Sequence, residues 1–111
     1  MKKSHFSEFF NPEGRIDGFC CAGHSGYGEK GTDIVCAIVS AAVDLAVTTI
    51  VDVMGVKAKV KVKEDEARIT LKLPASCEEH ENAVQDLLTG LMLTLCSARD
   101  DYPDYIEVME V

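Results

Sequence analysis

The sequence predicts an α+β fold in which a mostly antiparallel sheet packs against two helices. Residues 34–53 and 77–98 carry apolar side chains with the length and spacing of helices. Between them, residues 56–63 and 67–73 alternate between apolar and polar side chains, which is typical of strands with one buried face. With 111 residues the chain is long enough for one core and short for two, so we expect a single domain over residues 1–111.

Two strands are expected before the first helix, at residues 4–10 and 15–23. The segment Asn11-Pro12-Glu13-Gly14 between them favours a tight turn because it combines a proline of fixed φ with a glycine. His24 follows the second strand directly, at the point where a sheet gives way to a loop and side chains become accessible.

The first helix is predicted over residues 34–53, with Thr32 or Asp33 as its N-cap. Cys36 would then lie in the first turn. The length of this apolar run would allow a membrane span, but a charge near the middle would cost about 2.5–3.5 kcal/mol on insertion, so we expect no membrane segment. The least apolar side chains recur every fourth residue along one stripe: Cys36, Ser40, Asp44, Thr48 and Asp52.

The next two strands form a hairpin around the acidic turn at residues 64–66. We expect its apolar side chains to face the core and its basic side chains to face water. Six of the eleven basic residues lie on the second face: Lys57, Lys59, Lys61, Lys63, Arg68 and Lys72. This face either docks RNA or keeps the sheet soluble and guards its edge, and the lack of interleaved aromatic residues favours the second interpretation.

The second helix is predicted over residues 77–98. Ser76-Cys77-Glu78-Glu79 matches a capping box, and Pro103 lies just beyond the end. Apolar residues at helical spacing support the helix: Ala83, Val84, Leu87, Leu88, Leu91 and Leu95. A final strand at residues 106–111 completes the order β-β-α-β-β-α-β.

Nineteen acidic and eleven basic residues give a net charge of −8. This charge disfavours a nucleic-acid partner and suits a basic protein partner, although it also serves solubility alone. No apolar stretch follows Met1-Lys2-Lys3, so no signal peptide is predicted and we expect a cytoplasmic protein. The five cysteines are then free thiols, and without paired ligand spacing they predict no metal site and no cofactor.

Chemically reactive residues concentrate between Gly23 and Cys36. Glycines in the intervening loop would let His24 fold back towards Cys36. The partial positive charge of a helix N-terminus would favour the thiolate of Cys36, which is the nucleophilic form. Composition and spacing by themselves indicate only a candidate activated cysteine.

This segment resembles the ribosomal-processing cysteine protease family, the Prp type. The resemblance rests on Gly23-His24, Gly28, Gly31, Asp33-Ile34-Val35-Cys36-Ala37 and Ser40. It implies a histidine–cysteine dyad that removes an N-terminal extension from a large-subunit ribosomal protein precursor. It also implies a homodimer, and a hydrophobic pocket because family substrates are apolar before the cleavage site.

The resemblance assigns a role to each reactive residue. Cys36 would attack the scissile carbonyl as a thiolate, while His24 would keep it deprotonated and later protonate the leaving amine. Free N–H groups of the first helical turn would stabilise the oxyanion. Asp33 could cap the helix or orient His24, and Ser40 could bond the thiolate or a backbone carbonyl. The loop at residues 25–32, with Gly26, Gly28 and Gly31, would be mobile and close around an extended peptide.

Two other classes of function stay open on sequence grounds. One is a non-catalytic ribosome-associated protein that uses the basic hairpin. The other is a redox-sensing thiol protein, although the sequence places no resolving cysteine near Cys36. The remaining histidines, His5 and His80, are expected at the surface.

Overall fold

The computed structural model describes residues 5–23 and 30–111, with side chains from residue 34 onward in the second range. The predicted β-β-α-β-β-α-β order is confirmed, and the elements are β1 His5–Phe10, β2 Gly18–Gly23, α1 Lys30–Thr48, β3 Lys59–Lys63, β4 Arg68–Lys72, α2 Glu81–Asp101 and β5 Ile106–Glu110. A π-helical turn, Thr49–Val53, continues α1, and short 3₁₀ turns occupy Glu64–Glu66 and Glu78–His80.

The five strands form one sheet in the order β3-β4-β2-β1-β5. Every neighbouring pair is antiparallel except β1 and β5, which are parallel. The mostly antiparallel sheet predicted from the sequence is therefore confirmed. In the centre of the sheet Phe9 pairs with Phe19, and their ring centroids lie 5.9 Å apart.

Both helices cover the face of the sheet to which Phe9 and Phe19 point. The core joins this face to apolar stripes of α1 and α2, and its most deeply buried members are Phe9, Phe19, Leu71, Ile106, Val35, Ile50, Val84, Leu88 and Leu95. The removal of this apolar surface from water is the main driving force that holds a domain of this size together.

The loop between β1 and β2 is tied to α2. The Arg15 guanidinium donates two hydrogen bonds to the Glu81 carboxylate, at 2.6 and 2.9 Å. The backbone of Ile16 exchanges two hydrogen bonds with the Gln85 side-chain amide, at 2.8 and 2.9 Å. Because these contacts hold residues 15–17 against the helix, β2 begins at Gly18 and not at residue 15 as predicted.

The second helix begins four residues later than predicted. Glu78 has a φ of +54° and lies in the 3₁₀ turn that precedes α2. The predicted capping box therefore does not form. Instead the Glu81 carboxylate accepts a hydrogen bond of 2.9 Å from the Cys77 N–H, and the Ser76 hydroxyl accepts one of 3.0 Å from the Glu78 N–H.

The prediction that the hairpin buries its apolar face is wrong for β3. Val60 is 38% and Val62 is 61% exposed, whereas Leu71, the partner of Val60 on β4, is fully buried. The reason is the strand order. Strand β3 lies at the edge of the sheet, beyond the area that the two helices cover.

Helix α1 has two different faces. Val35, Val39 and Val43 pack into the core, whereas Ile34 is 47% and Leu45 is 65% exposed. The segment Ile34–Val53 is long and apolar enough to cross a membrane by length and composition, and 28% of it is buried against the rest of the chain. Packing against the rest of the chain therefore buries only part of the apolar surface of this segment.

Candidate active site

A groove of about 410 Å³ separates α1 from the sheet beside the hairpin. One wall consists of α1 residues at helical spacing: Cys36, Val39, Ser40, Val43 and Asp44. The opposite wall is formed by the sheet and includes His5, Cys21, Gly23, Val62 and Ile69. Lys63, Glu64 and Arg68 at the end of the hairpin add charges of both signs to the lining.

The helix that carries Cys36 starts earlier than the sequence indicates. It begins at Lys30, so Cys36 is its seventh residue and does not lie in the first turn. Thr32 and Asp33 are helical residues and not N-caps, and Gly31 belongs to the first turn and not to the preceding loop. Thr and Asp are compatible with the first turn of a helix as well as with its N-cap. Thr32 and Asp33 therefore fit two different start positions for α1.

The early start changes which residues carry the free N–H groups of the helix. Only the first four N–H groups of a helix lack a partner inside it, and here these belong to residues 30–33. The N–H of Cys36 is directed along the helix to the carbonyl four residues earlier. The first-turn N–H groups therefore belong to residues 30–33, before Cys36, and their role as oxyanion donors stays a prediction.

Two of the five cysteines line the groove, and they differ in environment. Cys36 is half-buried on α1, whereas Cys21 on β2 is only 4% exposed. Burial raises the pKa of the Cys21 thiol to about 11. Cys21 is thus a protonated thiol near neutral pH and a poor nucleophile.

Two polar side chains follow Cys36 along the groove wall at successive turns of α1. Ser40 is exposed and, within the described part of the chain, makes no side-chain hydrogen bond. Asp44 is exposed one turn further on. The sequence placed both on the polar stripe of the helix, and the exposure of Ser40, Asp44, Thr48 and Asp52 confirms that stripe.

The expectation that His5 is a surface residue is wrong. His5 is 3% exposed and lies in the wall of the groove. It is on the same face of β1 as Ser7 and Phe9, both of which are fully buried. Because alternate residues of a strand share a face, the spacing of His5, Ser7 and Phe9 in the sequence could have indicated that His5 lies on the inner face.

Strand β2 ends at Gly23, which lines the groove, and His24 is the next residue. His24, Gly26 and Gly28 lie outside the described residues, as does most of the predicted mobile loop at residues 25–32. The pairing of His24 with Cys36 therefore stays a prediction. Among the residues that the structure does describe, no cluster of three or more His, Cys, Asp or Glu side chains could hold a metal ion.

Comparison with known families decides the class of protein. The sequence profile of the family described as cysteine protease Prp matches residues 6–107. The chain belongs to this family. The Prp sequence resemblance is thereby confirmed, and with it the assignment of the chain as a cysteine protease. A relative, the ribosomal processing cysteine protease Prp of Bacillus subtilis (strain 168), is 31% identical over 91 residues, which is 81% of each chain.

Two solved structures have the same fold as this Prp protein. A crystal structure of the Prp protease of S. aureus with a substrate peptide matches with a TM-score of 0.82 at 19% identity, covering 96% of this chain and 99% of that one. A Streptococcus mutans protein matches with a TM-score of 0.84 at 21% identity, covering 98% and 95% respectively. At these identities the similarity concerns the fold.

Proposed function

We propose that this Prp protease is an endopeptidase that removes the N-terminal extension of a large-subunit ribosomal protein precursor, with Cys36 as its nucleophile. The observation that carries the proposal is the position of Cys36 as a half-buried thiol in the wall of a groove. The Bacillus subtilis relative is named for ribosomal processing, which supports the substrate class.

The proposed chemistry has two steps. The Cys36 thiolate attacks the scissile carbonyl to form a thioester, and the leaving amine takes a proton from His24. Water then hydrolyses the thioester with His24 as the base, which restores the thiol. The position of His24 directly after Gly23, a groove residue at the end of β2, supports this assignment.

Four apolar residues of the groove suit the substrate that the family resemblance implies. They lie on both walls and are Val39, Val43, Val62 and Ile69. An apolar peptide segment before the cleavage site would bury its side chains against them. We propose Ser40, one turn along α1 from Cys36, and Asp33 as supporting residues of the dyad, and Gly26, Gly28 and Gly31 as part of the segment that contacts the substrate.

The exposed face of α1 supports a homodimer. Ile34, Ala37, Ala41 and Leu45 fall on one stripe of the helix and are all exposed. A second copy of the chain would remove this apolar stripe from water. We place the protein in the cytoplasm, where ribosomal protein precursors are made.

The test is mass analysis of the ribosomal protein precursor after incubation with the protein. We expect the wild type to shorten the precursor at one site, and Cys36→Ala and His24→Ala to leave it intact. Cys96→Ala is the matched control, because Cys96 is a half-buried cysteine of α2 outside the groove. Cleavage by Cys36→Ala at the wild-type rate would refute the assignment of the nucleophile.

A further inference from the structure

The sheet has a second face, directed away from the two helices, which we call the outer face. The strand register places aromatic rings and cations side by side on it, although they are far apart in the sequence. One row across β1, β2, β4 and β3 contains Phe10, Gly18, Lys72 and Lys59. A second row, at the end of the hairpin where the outer face borders the groove, contains Phe6, Ala22, Arg68 and Lys63.

From this arrangement we propose that the outer face binds single-stranded RNA. The aromatic rings of β1 would stack on bases, and the cations of β3 and β4 would bind phosphates. The sequence offered no reason to expect this, because the net charge of −8 disfavours a nucleic-acid partner and the hairpin contains no aromatic residue. The local positive charge of the outer face opposes that overall charge. The strand register brings the aromatic rings of β1, a strand distant in the sequence, onto the same face as the hairpin cations.

The arrangement of the cations on the outer face destabilises the folded protein. Lys59 lies directly opposite Lys72, and Lys63 lies directly opposite Arg68. Like charges that face each other across two strands are destabilising, so lysines that served solubility alone would be better placed opposite neutral or acidic residues. A bound polyanion would convert both repulsive pairs into binding sites for phosphates.

These cations are also available. Lys59, Lys61, Lys63 and Lys72 are exposed, and none forms an ion pair with any acidic side chain of the described residues. Arg68 is the exception, because its guanidinium contacts Glu66 at 3.1 Å and donates to the Cys20 sulfur at 3.2 Å. Successive lysines on one face of a strand repeat about every 6.6–6.8 Å, which suits a chain of phosphates.

Strand β2 lies between the rings of β1 and the cations of β4, and its residues on the outer face are small. Its outer-face positions are Gly18, Cys20 and Ala22, so the sheet forms a shallow trough there. The missing side chain at Gly18 lets the Lys72 ammonium reach over to the Phe10 ring, 5.9 Å from its centroid. If Lys72 moves onto a phosphate, that ring face becomes free for a base.

The observations favour a single strand of RNA over other anions. Phe6 and Phe10 are half-buried and lie about 13 Å apart along β1, far enough for two separate bases. A duplex keeps its bases stacked inside and cannot use these rings, and an acidic peptide without aromatic side chains offers no ring to stack on them. The acidic residues Glu8 and Glu107 confine the phosphates to the side of β3 and β4. The choice of RNA over DNA rests on the proposed function, which brings the protein close to ribosomal components.

The test measures fluorescence anisotropy of a labelled single-stranded RNA of about 12 nucleotides. The full chain carries Cys36→Ala, so binding is measured apart from cleavage and either proposal can fail alone. Salt is varied between about 50 and 200 mM. With three to five phosphates bound, the logarithm of the association constant should fall against the logarithm of the salt concentration with a slope of about −2 to −3.5.

Matched variants locate the site. Lys61→Gln should reduce the magnitude of the salt slope by about 0.7, while Arg99→Gln, which removes one positive charge from α2, should not change it. Phe10→Leu should weaken binding by about 5- to 150-fold through lost stacking. If circular dichroism shows that Phe10→Leu is unfolded, Phe6→Leu replaces it.

Four results would overturn the proposal. They are the absence of salt-dependent RNA binding, an equal effect of Lys61→Gln and Arg99→Gln, unchanged affinity in the folded phenylalanine variant, and equal competition by duplex RNA or by poly-glutamate. A slope within the expected range that only the outer-face variants change would support it.

Discussion

Cys21 and Cys36 line the same groove from different elements, and only Cys21 is fully buried. The groove therefore holds one thiol that is accessible to a peptide and one that packing and a raised pKa keep protonated. This difference favours Cys36 over Cys21 as the nucleophile. Burial and the raised pKa that follows from it set Cys21 apart from the accessible Cys36.

We predict that iodoacetamide near neutral pH modifies Cys36 rapidly and leaves Cys21 unmodified in the native protein. The physical reason is that alkylation requires an accessible thiolate. Peptide mass mapping over time gives both rates. Cys36→Ala should lose the rapid phase, and labelling of native Cys21 as fast as Cys36 would contradict the prediction.

The buried Cys21 thiol should make the fold sensitive to alkali. Its pKa is raised from 9.0 to about 11, so the folded state binds the proton more tightly than the unfolded state. The corresponding stability is present below pH 9 and is lost as the pH rises through 11, by about 2–3 kcal/mol. Urea unfolding from pH 8 to above pH 11 should show a shallower decline for Cys21→Ala than for wild type. If the free energy of unfolding declined equally with pH in the two proteins, groups other than Cys21 would cause the loss of stability in alkali.

The Arg15–Glu81 pair should protect the fold against acid. Hydrogen bonds from Arg15 lower the pKa of Glu81 from 4.5 to about 2. The contribution is therefore present above pH 4.5 and is lost as the pH falls towards 2. The Glu81 side chain is 33% exposed, so solvent screening limits the contribution to about 1 kcal/mol.

Glu81→Gln should lower the free energy of unfolding at pH 7 and flatten its dependence between pH 4.5 and 2. Asp86→Asn is the control, because Asp86 is an exposed acidic residue on the same helix. Thermal unfolding followed by circular dichroism gives both profiles. An equal effect of the two variants would show that net charge, and not the pair, determines acid stability.

Gly18 should tolerate no side chain. A Cβ at this position would lie 2.2 Å from the carbonyl oxygen of Leu71, which is a backbone atom of the paired strand. Gly18→Ala should therefore destabilise the protein by about 3 kcal/mol or more. Gly90→Ala on α2 meets nothing within 4 Å and should stabilise it by up to about 1 kcal/mol. Denaturant midpoints that shift in the same direction would contradict this pair of predictions.

The exposed stripe of α1 should hold the proposed dimer together. Leu45 is 65% exposed on that stripe, so Leu45→Glu should yield a monomer in analytical ultracentrifugation. Leu93→Glu is the control, since Leu93 is 60% exposed on α2. A dimer that survives Leu45→Glu but not Leu93→Glu would place the interface on the other helix.

The sequence predicted the element order, because each element carries its own periodicity. It misplaced the start of α1 since Thr32 and Asp33 fit either a cap or a first turn. It could not predict the exposure of Val60 and Val62, which depends on β3 being an edge strand. The groove and the outer-face rows depend on strand order and register, and these arise from contacts between residues far apart in the chain.

The pairing of β1 with β5 links the earliest strand of the fold to the last. His5, a wall of the groove, donates a backbone hydrogen bond of 2.9 Å to Tyr105 and pairs with Ile106. During translation the N-terminal part of a chain emerges first, and contacts of such large sequence separation form late. In a nascent molecule His5 therefore lacks its partners in β5 until residues 106–110 have left the ribosome, so this wall of the groove is held by β2 alone until synthesis is nearly finished.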